Sequence, residues 1–351
     1  MQAVVKEKKG PGFATKETAK PRPRDNEVLV SVKAVGICGS DIPILDGIRP
    51  VPLPFIPGHE FSGVIEEVGS NVKMFRLGDQ VTSGLVIHCG ECLSCRRGHE
   101  SLCDHIIETG IHTNGAFAEY VCVPEQTLHQ LPKDMSFTKG ASIDPAASAY
   151  RPVKKASVGS EDTVVVFGPG PIGMYAAQMA KVEGARRVVL VGIPGDEGRL
   201  TLARSLGIDD TVVYEEERFF DEIDDLLEDE RADIVIEATG SVQVFNLCIQ
   251  TLRKGGKCLA AGIVHELSSL DFGIIVRNEI SLEGSICYTR KEFSECLSLV
   301  QEGRIKVEPL ITHRLPLAEI SRGINLIKSK EAMKVMLYPK EIDEQYMEGE
   351  G

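Results

Sequence analysis

Thr163-Val-Val-Val-Phe167-Gly168-Pro-Gly170-Pro171-Ile172-Gly173 is the stretch on which the fold turns. Five β-branched or aromatic residues run straight into G-x-G-x-x-G and then into a segment of helical length at 172–182. The glycine pattern alone is weak evidence. A strand before it and a helix after it are the context that a dinucleotide site requires. Gly168 permits the tight turn, and Gly170 leaves room for a pyrophosphate at the helix N-terminus, beside Pro171 and Ile172. Gly173 lets helix and strand pack closely. A Gly-rich turn without a ligand is the plainer alternative, and the flanking elements speak against it.

Downstream, strand-length apolar runs at 187–191, 233–238 and 257–263 alternate with helix-length segments at 199–206, 218–230 and 244–253. This βαβα rhythm predicts an α/β fold with a doubly wound parallel sheet of Rossmann type. The acidic run at 221–230 reads as a solvated helix face, because Ile223, Leu226 and Leu227 recur at helical spacing. Upstream, residues 1 to about 150 hold short β-branched runs, such as 28–32, 63–69 and 118–123, broken by Gly and Pro. They predict a β-rich lobe. The polar tail at 341–351 is expected to fray.

At the end of the second strand of such a sheet, a carboxylate ordinarily binds the ribose 2′-OH of NAD. This chain has Gly192 there, followed by Ile193-Pro-Gly195-Asp196-Glu197-Gly198-Arg199. Arg199 is placed to bind a 2′-phosphate, while Asp196 or Glu197 folding back would serve NAD. NAD(H) and NADP(H) both stand, with a lean to NAD(H).

The other dense signal is Cys89-x2-Cys92-x2-Cys95-x7-Cys103, interrupted by Gly90 and Gly98. Four thiolates at this spacing predict one closed, structural tetrahedral zinc. Disulfides are the alternative, and a large chain with no signal peptide argues against them. Cys122, Cys248, Cys258, Cys287 and Cys296 read as reduced core thiols. With 351 residues, 42% hydrophobic content and a formal charge of −13, the chain is long enough for two cores and lacks the basic surplus of a nucleic-acid groove. No apolar run approaches a membrane span, so a cytoplasmic protein is expected, with no membrane or nucleic-acid partner.

Three separated segments carry metal-competent groups: Gly36-Ile-Cys38-Gly-Ser40-Asp41, Pro57-Gly58-His59-Glu60 and Ile143-Asp144-Pro145. With the cysteine lobe, Gly115-Ala-Phe-Ala-Glu-Tyr120, the glycine motif and Glu308-Pro-Leu-Ile-Thr-His-Arg314, they resemble the zinc-containing medium-chain alcohol and polyol dehydrogenases over nearly the whole chain. The resemblance implies a GroES-like β-barrel catalytic domain at 1–153, a Rossmann domain at 154–289 and a segment at 290–351 returning to the first, with cofactor and substrate meeting between the lobes. It also implies two zinc ions per chain, a homodimer or homotetramer, and a small alcohol or polyol as substrate.

Carried over by position, Cys38 and His59 match catalytic zinc ligands. Glu60 matches a carboxylate that ligates directly in some members and lies just outside in others. Asp144 stands where polyol dehydrogenases carry Glu and alcohol dehydrogenases carry Cys. Ser40 matches the hydroxyl that passes the alcohol proton outward, although Pro43 replaces the His that continues the relay in many members. The implied reaction is reversible oxidation of the secondary alcohol of a polyol or polyol phosphate to a ketone. Resemblance to galactitol-phosphate dehydrogenases favours that substrate class. A threonine-type or simple alcohol dehydrogenase is the runner-up; against threonine, Val86 stands where those enzymes place His, and His88 is displaced by two residues. A non-catalytic NAD(P)H-binding regulator is the remaining alternative, and an intact Cys38, His59, Ser40 and Glu60 set argues against it.

Overall fold

The computed structural model describes residues 1–339 except 229, 265, 266 and 268; the tail at 341–351 lies outside them. The chain forms two compact units, one of Met1–Pro145, Thr289–Gln301 and the chain from Val307, the other of Ala146–Tyr288 and Glu302–Lys306. These limits differ from the boundaries expected at 153/154 and 289/290. The observed and the expected first limit both fall inside helix Ile143–Ala156. Residues 302–306 side with the second unit, where Lys306 N–H donates to Gln178 Oε1 at 2.9 Å and Gln178 Nε2 donates to the Lys306 carbonyl at 3.2 Å.

In the second unit six strands lie in the order Asp210–Val213, Arg187–Gly192, Thr163–Phe167, Ala232–Glu237, Leu252–Ala260, Ser281–Gly284, every pair parallel. Numbered along the chain within this unit, the order is 3-2-1-4-5-6, the doubly wound arrangement. The direction of winding reverses between Thr163–Phe167 and Ala232–Glu237, so a ligand crevice belongs at the carboxyl ends of those two strands. Thr163–Phe167 is buried at every position, as expected of a strand covered on both faces. Helix Pro171–Val182 follows it directly, with Pro171 in the first turn, where a missing N–H costs nothing.

Two elements depart from the sequence reading. The helix expected at 218–230 spans Phe219–Leu226, burying Phe219 and Ile223 and leaving Asp221, Glu222 and Asp225 exposed. The strand expected at 257–263 starts earlier: helix Val242–Thr251 stops at Leu252, which is already extended (φ −75°, ψ 143°) and pairs with Ala232. A bulge with Gly255 at φ +74° takes up the extra residues before Lys257 pairs with Ile234. The strand ends at Ala260, and Ile263 lies beyond it, exposed.

The first unit is built on a sheet ordered Ile311–Pro316, Lys334–Tyr338, Glu27–Gly36, Glu60–Val68, Gln80–Ser83, Leu128–Gln130, with Tyr120–Pro124 also pairing with Glu27–Gly36. All its pairs are antiparallel except the first. Val28, Val30, Val32, Phe61, Ile65, Phe117, Val121 and Val335 fill its core. Glu27–Gly36 is almost wholly buried and is gripped by three partners, so its end is a fixed point in the unit. Among the described residues no helix is long and apolar enough to cross a membrane.

Candidate metal centres and dinucleotide site

Antiparallel register builds the first centre. Gly36, the last residue of its strand, faces Glu60, the first residue of the next, and also faces Met336. Cys38 therefore emerges beside His59 and Glu60 although some twenty positions separate them in sequence. Their ligand atoms all lie within 4.8 Å of one another. Gly36 must lack a side chain, since a Cβ there would lie 2.3 Å from Glu60 Oε2.

Two residues that the sequence reading did not assign to the site complete its surroundings. Asp41 is fully buried at the start of helix Asp41–Leu45; its Oδ2 accepts the Cys38 N–H at 2.9 Å and its Oδ1 stands 3.6 Å from His59 Nδ1. Burial pushes the His59 imidazole down, but Asp41 and Cys38 outweigh it and hold the group well above its ordinary value. Asp41 thus stands on the Nδ1 side of the ring, 3.6 Å away, and a carboxylate so placed orients an imidazole that ligates a cation. Lys334 is the second. Its buried Nζ pairs with Glu60 Oε2 and donates to the Ile37 carbonyl at 3.0 Å. No local motif announces Lys334; strand pairing from the far end of the chain brings it in. Asp41, three residues after Cys38, had a signal in its spacing.

Thiol, imidazole and carboxylate are the donor types of a catalytic zinc held by three protein groups. Two buried carboxylates, Asp41 and Glu60, stand there with the Cys38 thiol and one buried ammonium, Lys334, surroundings that suit a cation. Asp144 is buried in the first turn of Ile143–Ala156 but is not among the groups gathered within 4.8 Å. Ser40 caps helix Asp41–Leu45 by position only; its hydroxyl makes no capping bond.

Cys89, Cys92, Cys95 and Cys103 form the second centre, their sulfurs within 4.8 Å of one another. Gly90 and Gly98 turn the chain at φ +77° and +75°, which L side chains resist. Backbone N–H groups point at the sulfurs: Glu91 and Cys92 donate to Cys89 Sγ at 3.4 Å, and Cys89 and His105 donate to Cys103 Sγ at 3.3 Å. N–H groups of Cys95 and Asp104 bring Cys92 down to about 6, while burial and the neighbouring Cys92 push Cys95 up to about 12. One thiolate is favoured and its negative charge resists the next, an arrangement that a dication relieves. None of these four forms a disulfide.

At the switch point of the parallel sheet the glycines separate by role. Gly168 has φ +102°, and a Cβ on it would lie 2.8 Å from Thr239 Cγ2. A Cβ on Gly173 would lie 1.9 Å from the Gly168 carbonyl oxygen, so helix and strand meet there backbone to backbone. Gly170 faces open space, with nothing within 4 Å of a Cβ, at the N-terminus of Pro171–Val182. Gly192 closes the neighbouring strand, and the place of its missing side chain is taken by Asp196 and Pro169, both 3.1 Å from it. Arg199 lies, half-buried, in the first turn of helix Glu197–Ser205.

Residues 24–133 match the alcohol dehydrogenase GroES-like domain, and residues 171–302 match the zinc-binding dehydrogenase domain. A sorbitol dehydrogenase of Halalkalibacterium halodurans is 37% identical over 97% of this chain and 99% of its own length. The chain belongs to the zinc-containing medium-chain alcohol and polyol dehydrogenases. An L-threonine 3-dehydrogenase of Rhizobium etli is 33% identical over 96% of this chain and 98% of its own length. The crystal structure of galactitol-1-phosphate dehydrogenase from Escherichia coli superposes with a TM-score of 0.88, at 30% identity, covering 97% of this chain and 100% of that one. This medium-chain dehydrogenase thus pairs a GroES-like lobe with a Rossmann lobe, as its sequence implied, and acts as an NAD(P)-dependent zinc alcohol or polyol dehydrogenase.

Proposed function

We propose that this enzyme reversibly oxidises the secondary alcohol of a polyol or polyol phosphate to a ketone, with a catalytic zinc at Cys38, His59 and Glu60 and a structural zinc at Cys89, Cys92, Cys95 and Cys103. The convergence of Cys38, His59 and Glu60 within 4.8 Å carries this reading. A zinc held there would supply Lewis acidity, lowering the pKa of the substrate hydroxyl. Cys38 and His59 hold the metal, and Asp41 keeps the imidazole turned towards it through Nδ1. Glu60 has one oxygen engaged by Lys334 and the other left for the metal. Ser40, its hydroxyl not spent on the helix cap, accepts the alcohol proton by hydrogen bond and passes it to water. The dinucleotide is held at Gly168, Gly170, Pro171, Ile172 and Gly173, with Gly192 and Arg199 beside the adenosine ribose. Asp144 is a further carboxylate near the metal, acting through water.

The test is a screen of zinc-replete enzyme against polyols, polyol phosphates, threonine and simple alcohols, each with NAD⁺ and NADP⁺. Turnover of a polyol or its phosphate, with the ketone as product, is the expected result. Oxidation of threonine alone would establish the second reading, which the threonine dehydrogenase relative favours. Dinucleotide binding without turnover of any alcohol would leave the regulator reading.

The finer partner assignments belong to the same proposal. Ser281–Gly284 is an edge strand exposed at all four positions, Leu282 among them, and Phe272 and Val276 of the preceding helix are exposed too. An open edge with apolar side chains supports assembly of copies of this chain into a homodimer or homotetramer; light scattering in solution decides it. A thiolate cluster at Cys89, Cys92, Cys95 and Cys103 suits a reducing, cytoplasmic compartment.

A further inference from the structure

Strand Arg187–Gly192 ends on a residue with no side chain, so the strand itself offers no carboxylate to an adenosine ribose. The chain then turns sharply. Asp196 N–H donates to the Ile193 carbonyl at 2.9 Å, which brings residue 196 back over the strand end. The Cβ of Asp196 stands 3.1 Å from the point where a Cβ of residue 192 would be, and Pro169 Cγ, within the glycine turn, lies at the same distance from that point. The side chain of Asp196 therefore occupies the space that a strand-end side chain would fill, next to the turn that receives the pyrophosphate.

The direction of the carboxylate is unusual for its position. Asp196 is the N-cap of helix Glu197–Ser205, and an Asp there ordinarily accepts an N–H from the first turn. It makes no such bond. Instead Oδ2 accepts the N–H of Ile193 at 3.1 Å, which ties the group to the strand end. A second carboxylate follows. Glu197 accepts the Gly195 N–H through both oxygens, at 3.0 and 3.1 Å. Arg199 is the only basic residue between Gly192 and Arg204, one guanidinium against two carboxylates.

We propose that Asp196 selects NAD(H) over NADP(H), replacing in space the carboxylate that the sequence lacks at Gly192. The inference rests on the dinucleotide reading of the Rossmann unit. A ribose 2′-OH donates a hydrogen bond to the Asp196 carboxylate. A 2′-phosphate has no proton to give at neutral pH and meets two like charges at short range, which Arg199 offsets only in part.

Binding of NADH and NADPH to the full-length, zinc-replete enzyme, followed by nicotinamide fluorescence, tests this. Wild type is expected to bind NADH at least about tenfold more tightly, the scale of one charge-assisted contact. Asp196→Asn keeps an acceptor for the Ile193 N–H and removes the charge; it should shrink the preference about tenfold, chiefly by tighter NADPH binding. Asp196→Ser is the second variant, expected to act in the same sense should the Asn form fail to fold. Asp196→Glu should retain the preference for NADH. Equal or tighter NADPH binding by wild type overturns the proposal while leaving the dinucleotide reading intact. So does an unchanged ratio in Asp196→Asn with an unaltered melting temperature. Failure of wild type to bind either nucleotide overturns the dinucleotide reading itself, and the selection with it.

Discussion

Cys38, His59 and Glu60 meet because one antiparallel register sets Gly36 against Glu60, and each side chain then has a distinct physical burden. The thiol is the group least replaceable by its neighbours. A Cys38→Ser enzyme should lose turnover by roughly a thousandfold or more, as expected when a Lewis acid contributing several kcal/mol is lost. NADH binding, measured separately, should change little, because the glycine turn belongs to the other unit; normal turnover without metal at this centre would rule the mechanism out. Lys334 bears on stability. Its ammonium is the buried partner of Glu60, and Lys334→Met strands a carboxylate without a cation in a desolvated place, at a cost of about 3–5 kcal/mol. A melting temperature within a degree or two of wild type, with full zinc content, would show that Glu60 finds a different partner. The candidate metal ligands were legible because Cys and His stand in short, recognisable runs that the structure brings together. Lys334 was not, for a lone Lys near the chain end has no local mark of burial; strand pairing with residues some 300 positions earlier defines it. Asp196 was one of two open candidates, and only the turn at Ile193 distinguishes it from Glu197.

At the scale of elements, the Rossmann strands were readable where burial on both faces makes an apolar run continuous, as at Thr163–Phe167. The fifth strand was read too late because Arg253, Lys254, Gly255 and Gly256 form a polar bulge, which periodicity takes for a loop. Helix Arg290–Gln301 docks on strand Leu128–Gln130 through a contact that the sequence gives no sign of. His129 stacks on Phe293 with ring centroids 4.2 Å apart, and its Nδ1 lies 3.1 Å from Ser294 Oγ. Burial, with Arg290 adding to it, brings the His129 imidazole down to about 3. A folded-state pKa below the unfolded value of about 6.5 means that the unfolded chain binds the extra proton. The stabilisation is therefore complete above about pH 6.5 and is lost as pH falls towards 3, at up to about 1.4 kcal/mol per pH unit. Denaturant unfolding of wild type at pH 7 and pH 5 should differ by roughly 2 kcal/mol more than unfolding of His129→Gln, which carries no titrating ring. Equal pH dependence in the two proteins would mean that His129 takes up its proton in the folded state as readily as in the unfolded chain.

For the whole molecule the proposed reading divides labour between the two metal-competent clusters. Cys89, Cys92, Cys95 and Cys103 lie within fifteen residues of chain with backbone N–H groups aimed at the sulfurs, which on that reading makes them serve the fold of that lobe. Cys38, His59 and Glu60 are brought together by strand pairing, which on that reading makes them serve chemistry. Four thiolates hold zinc more firmly than a mixed thiolate, imidazole and carboxylate set with an open position. Mild chelation by dipicolinate should therefore remove one zinc per chain and nearly all turnover, with the melting temperature little changed. Readdition of zinc should restore activity. Cys95→Ser should behave oppositely, lowering zinc content by one and the melting temperature by several degrees, because a structural zinc contributes directly to folding free energy. Turnover per properly folded chain should persist in that variant at low temperature. Simultaneous loss of both metals under mild chelation, with activity and thermal stability falling together, would show that the two centres are coupled and that the division between fold and chemistry does not hold.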